Sequence, residues 1–287
     1  MLDHTRLVRA AESLDPVPVS VTQLLSVVAR DNFSVGDVEQ VIAYDQALTG
    51  RLLRVANSWA AASLMPIGTV KDAVIRVGVG PVVSMAMAAC IGPSFRRALP
   101  EYGLSEDELW RHAVASSLAA EVLSAMSRRP VPPEAATAAL LHDVGKLVLA
   151  RFLTPDLLTG LADARAGGDR SAMQAESAVL GVNHAELGGI IARHWGLPDR
   201  IAEAITHHHQ PDKAANPVCD VVHLGNVAAH LAVGPPPEHE IDAAPAAGAI
   251  VRLELAATFM DRLHSHVTRR LDDVVARYDA AVAPLAA

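Results

Sequence analysis

The stretch Leu141-His142-Asp143-Val144-Gly145-Lys146 places an imidazole, a carboxylate and an ammonium inside an apolar run from Ala135 to Leu153. Once buried, each of these groups needs a partner, because an unpaired buried charge is costly. A histidine followed directly by an aspartate offers one nitrogen and one oxygen to a single divalent cation. On a continuous helix Lys146 stands one turn after His142, on the same face, where it can meet an anion held by that cation. The same residues also fit a polar network that buttresses a helix pair, so donors elsewhere in the chain must decide.

The chain has 13 histidines, unevenly placed. His112 shares a helical face with Ala115, Ala119 and Leu123 and so points toward a core. His184 falls in the first turn of a helix, and His207-His208-His209 ends another. A helix C-terminus favours imidazolium, whereas metal ligation needs neutral imidazole, so the triplet suits either state. His223 and Asn226 lie three residues apart on one face of a further helix. Five helices thus each offer a nitrogen or oxygen donor, as a mixed N/O metal centre requires. The bland alternatives are a hydrogen-bonded core histidine, a solvated helix end at the triplet, and a Lys146 that reaches water past its own stem. His4, His194, His230, His239, His264 and His266 read as surface or packing residues.

The elements that would position these donors are helical. Hydrophobic residues make up 51% of the chain and aromatics only 3%, a balance that suits small-residue helix packing rather than a β-sandwich. Asp15-Pro16-Val17-Pro18 stops a first short helix, and Ser20 is expected to cap the next. Leu48, Leu52 and Ala56 line up one turn apart on a helix that opens at Asp45 and ends at Asn57-Ser58. The Asn57 amide is expected to satisfy a backbone group in the following loop through Met65 and Pro66. Thr69 caps a helix to Val77, and Val82 to Cys90 forms another after a break at Gly78-Val79-Gly80-Pro81. Further helices are expected at about 106–127, 133–153, 155–166, 171–180, 184–195, 198–208 and 217–232, with capping boxes at Ser105/Glu108 and Asn183/Glu186. Residues 1–98 and 104–233 form two helical units, 234–248 a Pro/Ala-rich linker, and 249–287 amphipathic helices.

Charge and cysteine usage exclude several classes. A formal net charge of -8 gives no basic footprint for nucleic acid, so direct nucleic-acid binding is not expected. Glycine and proline interrupt the longest uncharged run, Val77 to Phe95, and no membrane span is expected. The first residues are no secretory signal, and Cys90 and Cys219 form no disulfide framework, so a reducing cytoplasm is the expected location.

His112, His142-Asp143-Val144-Gly145-Lys146, His184-Ala185-Glu186-Leu187-Gly188 and His207-His208-His209-Gln210-Pro211 together resemble the HD superfamily in its HDOD (HD-related output domain) form. Asp45 through Ser58 resembles that family's DPxLxxRLLxxANS element, with Gln46 in place of the usual Pro. Ile67, Val70, Ala73, Val74, Val77 and Gly78 are similar to its continuation. The likeness spans residues 15–232 and leaves 240–287 outside.

The resemblance implies an all-α fold, with an N-terminal bundle of short helices packed on an HD-like bundle. It also implies a role in bacterial signal transduction or regulation. Related HD-GYP enzymes hydrolyse cyclic di-GMP at a centre of two or more metal ions. Carried over, His112, His142, Asp143, His184, His208 and His209 would hold one or two divalent transition metals (Fe, Mn, Ni or Zn). Lys146 would contact phosphate, and Asp143 and Lys146 would be catalytic only in an active copy.

Two departures weigh against activity. The GYP segment is replaced by Gln210-Pro211-Asp212-Lys213, and Asn226 stands where a closing aspartate belongs, as an outer or vestigial ligand. A neutral amide can neither offset a cation nor act as a base. Asn57 and Ser58 carry a structural motif. The resemblance therefore implies a non-catalytic module that binds a signalling protein or a nucleotide-type ligand, with self-association left open. The alternative is a metal-dependent phosphohydrolase acting on a nucleotide or cyclic dinucleotide. A DNA-contacting regulator is the weakest reading.

Overall fold

A computed structural model describes residues 2–43, 45–59, 67–166, 170–214, 216–233 and 243–282. Among these the only strand-like pairing is an isolated bridge, Leu99 with Leu104, so the fold is all-helical as expected. Six helices form the N-terminal part: α1 (His4–Glu12), α2 (Val19–Val28), α3 (Val35–Ala43), α4 (Gln46–Trp59), α5 (Val70–Val77) and α6 (Val79–Phe95).

Local chemistry sets their ends. Ser20 does not cap α2. Pro18 opens that helix, and the Ser20 hydroxyl instead donates to Asp45 Oδ2 at 2.6 Å. The other oxygen of Asp45 accepts from the Leu48 N–H at 2.9 Å, so one carboxylate ties α2 to the first turn of α4. Thr69 caps α5 by accepting from the Asp72 N–H. Gly78, at φ 91°, then turns the chain so that α5 and α6 meet at 109°. A residue with a Cβ is strained in that region. Helix α6 runs beyond the expected Val82–Cys90 at both ends, with Pro93 accommodated inside it.

Asn57 closes α4. Its Nδ2 donates to the carbonyls of Leu53 (2.8 Å) and Ile67 (3.0 Å), and its Oδ1 accepts from the Ile67 N–H at 2.7 Å. The expected partner in the following loop is thus Ile67. Met65, Pro66 and the Ser58 side chain lie outside the described residues.

The second part comprises α7 (Glu108–Met126), α8 (Ala135–Leu141), α9 (Val144–Leu149), α10 (Pro155–Ala166), α11 (Ala172–Leu180), α12 (His184–His194), α13 (Asp199–His207) and α14 (Pro217–Val233). Helix α7 starts at Glu108 after Asp107 at φ 64°, and only half of the expected capping box forms, from the Ser105 N–H to Glu108 Oε2. The box at Asn183/Glu186 is complete. The single helix expected over 133–153 is divided: α8 ends before His142, α9 begins at Val144, and a 3-10 turn covers Ala150–Phe152. Asp143 sits at the break with ψ near 8°.

Two more helices complete the chain, α15 (Ala243–Arg252) and α16 (Phe259–Val282). Residues 234–242 of the expected linker lie outside the described residues, and 243–248 are already helical. Along α16, Leu263, Val267, Leu271, Val274 and Val275 are buried against α4, α6, α7 and α14, so this helix straps the two parts together. Asp279 pairs with Arg96 from α6 and accepts from the Trp110 indole of α7. One hydrophobic core runs from Leu7 to Val275. Among the described residues no single helix is long and apolar enough to cross a membrane.

Replacing Asn57 with Leu strands the Ile67 backbone polar groups, and should lower unfolding free energy by about 1–3 kcal/mol. Thermal or denaturant melting reads the loss. Unchanged melting would remove the structural role of this amide.

Candidate metal centre

Backbone carbonyls and one carboxylate orient the imidazoles. His142 Nδ1 donates to the Ala139 carbonyl at 2.7 Å, and His208 Nδ1 to that of Ile205 at 2.8 Å. His223 Nδ1 donates to the carbonyl of His208 at 2.7 Å, so α14 buttresses the end of α13. His184 Nδ1 meets Glu176 Oε2 at 2.7 Å, and the same oxygen accepts the His184 N–H at 2.8 Å. With Nδ1 committed as a donor, Nε2 keeps its lone pair for the interior, as a metal-binding imidazole needs.

The donors converge. His112 Nε2 lies 3.2 Å from His142 Nε2, and His184 Nε2 lies 3.0 Å from His209 Nε2. His112, His142 and Asp143 form one group and His184, His208 and His209 a second, each with donor atoms within 4.8 Å of one another, a spacing that could hold a metal ion. Asp143 stands between the two. Its Oδ2 is 3.3 Å from His142 Nε2, and its Oδ1 is 3.4 Å from His184 Nε2. Lys146 Nζ donates to Oδ2 at 2.9 Å.

The expectation that Lys146 shares a helical face with His142 is therefore corrected: the helix breaks between them, and Lys146 follows Asp143 instead. That break, and the glycine after it, bring α9 against α12. A Cβ at Gly145 would overlap the His184 carbonyl oxygen and crowd the Gly188 N–H, so only glycine lets Asp143 and Lys146 reach the start of α12.

Burial acts strongly on three of these imidazoles. It holds His112, His208 and His209 well below the ordinary imidazole range, with neighbouring histidines adding to the effect. At Asp143 burial pulls the other way, yet His142 and Lys146 outweigh it and keep the carboxylate ionised. Neutral His112, His208 and His209 beside an ionised carboxylate suit a transition-metal site. His208 Nε2 is buried with no hydrogen-bond partner. A buried polar atom left so is costly, and a cation at this group would satisfy it.

All six expected ligand candidates are brought together, and Asn226 joins them with its Oδ1 3.0 Å from His112 Nε2. His207 is half-buried on the outside. Two residues had been missed. His230, read as an ordinary residue, lies against His112 with ring centroids 4.4 Å apart and the rings tilted by 43°. The spacing of His223, Asn226 and His230, at i, i+3 and i+7, could have shown it. Glu176 comes from α11, where nothing in its local sequence marks it.

The fold and this centre define an HD-type helical bundle with a buried His/Asp cluster. The chain belongs to the HDOD domain family, whose model matches residues 14–211. It is similar to the crystal structure of an HDOD domain protein from Geobacter sulfurreducens, at 21% identity and a TM-score of 0.68, covering 96% of this chain and 98% of that one. A candidate signal transduction protein from Marinobacter aquaeolei VT8 matches at 23% identity and a TM-score of 0.71, over 94% of this chain and 60% of that one. A candidate metal-dependent phosphohydrolase from Shewanella amazonensis SB2B matches at 19% and 0.56, over 96% and 95%. These likenesses show the fold. The chain also aligns over 238 residues, at 23% identity, with a Treponema pallidum protein, and spans 45% of that protein's length.

Two outcomes follow from the geometry. Protein purified without chelator should carry a transition metal by elemental analysis, and a His142→Ala/Asp143→Ala double variant should not; equal metal content in the two would refute the centre. Asn226→Asp adds a charge beside the donors, at the cost of an uncompensated carboxylate without metal. The variant should melt lower than the parent in chelator and gain more from added Mn²⁺. Equal metal-induced shifts would place Asn226 outside the centre.

Proposed function

We propose that this chain is a regulatory HDOD module that holds one or two divalent transition-metal ions and captures a phosphate-bearing ligand without turning it over. The observation that carries this reading is Asp143, one oxygen toward each group of imidazoles and Lys146 on its flank. His112, His142 and Asp143 would hold one ion and His184, His208 and His209 another. A bound divalent ion would supply Lewis-acid character and acidify water. Lys146, bonded to Asp143 Oδ2, would bring a positive charge to an anion at the centre.

Two features favour capture over turnover. The position opposite His112 is an amide, which neither offsets a second cation nor accepts a proton at neutral pH. After the histidines, Pro211–Lys213 forms a 3-10 turn whose Asp212 is pinned by Arg252 at 2.5 Å, so its carboxylate is engaged by α15 rather than offered to the centre. Output would pass to a signalling protein in a bacterial cytoplasm, in keeping with the description of the Marinobacter relative. A metal-dependent phosphohydrolase is the second reading, supported by the presence of all six candidate ligands and by the Shewanella relative's description.

The test is a pair of measurements on Mn²⁺-loaded protein. Inorganic phosphate should bind by calorimetry, and the binding should be lost in Asp143→Ala. Cyclic di-GMP should show no multiple turnover. Sustained turnover that vanishes in Asp143→Ala would establish the second reading, and absence of phosphate binding would overturn the first.

A further inference from the structure

Away from the metal centre, two cavities of about 230 Å³ each lie on the seam between the N-terminal part and the second part. Leu14, Ser94 and Leu147 line both, so the two adjoin and make one elongated groove. Its first half is walled by Val17, Ile91 and Phe95 and ends on the ring of Trp195, the residue that follows α12. Trp195 is 8% exposed, and its indole Nε1 is buried with no hydrogen-bond partner. Asp15 lines the same half. The other half carries Arg97 and Arg151, together with Glu101. Both arginines are exposed, and neither enters an ion pair or hydrogen bond among the described residues.

We propose that this groove binds a single-chain carboxylic acid of medium length with a hydroxyl toward the end of its chain. The carboxylate lies at Arg97 and Arg151, the chain passes Leu14 and Leu147, and the hydroxyl meets the Trp195 indole. An elongated apolar passage favours a chain over a compact ring system, and each buried methylene is worth about fourfold in affinity. The two arginines give the mouth at Arg97 and Arg151 an excess of positive charge, in a chain whose net charge is -8. Being exposed, they fix the direction of the ligand more than its affinity. At the other end the indole N–H needs an acceptor, because a buried donor without one is costly. Asp15 disfavours a second anion there and accepts a hydrogen bond from a hydroxyl. Leu147 belongs to α9 and Trp195 ends α12, so the ligand bears on two helices that also build the centre. The proposal does not depend on metal being held.

Calorimetry on the full chain, in chelator and in Mn²⁺, with octanoate, ω-hydroxyoctanoate, octanol and hexanoate as separate probes, tests this. The hydroxy acid should bind one per chain, about threefold or more tighter than octanoate, the worth of one neutral hydrogen bond. Octanoate should exceed octanol by about threefold or more, as exposed ion pairs allow, and exceed hexanoate by about tenfold. An Arg97→Glu/Arg151→Glu double variant, changed only at exposed positions, should bring octanoate down to octanol and leave octanol unchanged. Trp195→Phe should remove the advantage of the hydroxyl while octanoate binds as in the parent. Ser94→Phe, on the wall the two halves share, should weaken every probe. Absence of saturable binding, or binding that none of these variants alters, would overturn the site. Equal affinity for octanoate and octanol, or for octanoate and its hydroxy derivative, would overturn the ligand assigned to it. Because the chelator arm contains no metal, either result leaves the reading of the centre to its own test.

Discussion

Asp143 is 2% exposed, and burial by itself would raise its proton affinity. It stays ionised because His142, Lys146 and His184 surround it within 3.4 Å. Most of the second half of the chain can be read as the means of keeping those partners in place. The carbonyls of Ala139 and Ile205 turn two imidazoles inward, Glu176 turns a third, and α14 braces the end of α13 through His223. Removing any one support leaves a carboxylate or an imidazole buried without its counterpart, which costs more than the supporting bond itself contributes.

That constraint explains why the helix carrying the motif is broken. A continuous helix would place Lys146 over His142 and turn Asp143 about 100° away from His142. The break at Asp143 turns its carboxylate to the space between α7 and α12, where both groups of donors can meet it. Close approach supplies the rest. Gly145 lets α9 touch α12, and a Cβ at Gly189 would collide with the Thr206 side chain of α13. Small residues thus set distances that the larger polar ones then exploit. The low aromatic content of the chain belongs to the same logic, since helices this close have little room for rings.

How much of this was legible in the sequence follows from where each signal lies. The donors themselves were legible, because an imidazole or carboxylate in an apolar run has few structural reasons to be there. Helix ends marked by Asn183 and Thr69 were legible because capping is a local exchange between a side chain and the N–H two or three residues on. The break at Asp143 was not, since Ala135 to Leu153 reads as unbroken helical core and its interruption depends on contacts with α12. Ser20 misled for the same reason: its hydroxyl finds Asp45, 25 residues away, a stronger partner than its own backbone. Glu176 was invisible because its role exists only after α11 and α12 have folded against each other. His230 is legible in principle, since it continues the face of His223 and Asn226 at i, i+3 and i+7.

The C-terminal helices, which lie outside the family match, gain a role from the charges they bring. Arg252 on α15 donates to Asp220 through Nε and Nη2, at 3.0 and 2.6 Å, and to Asp212 through Nη1. Asp220 is buried on α14, where burial pushes its carboxyl up against the pull of that guanidinium. Asp212 belongs to the turn that directly follows the histidines of α13. One guanidinium therefore fixes the end of the histidine segment to the helix that carries His223, Asn226 and His230. His208 Nε2 is buried in the cluster without a hydrogen-bond partner, and an ion held there would couple its binding to folding. The Arg252 guanidinium joins the turn after the histidines of α13 to α14 and to a helix beyond the family match.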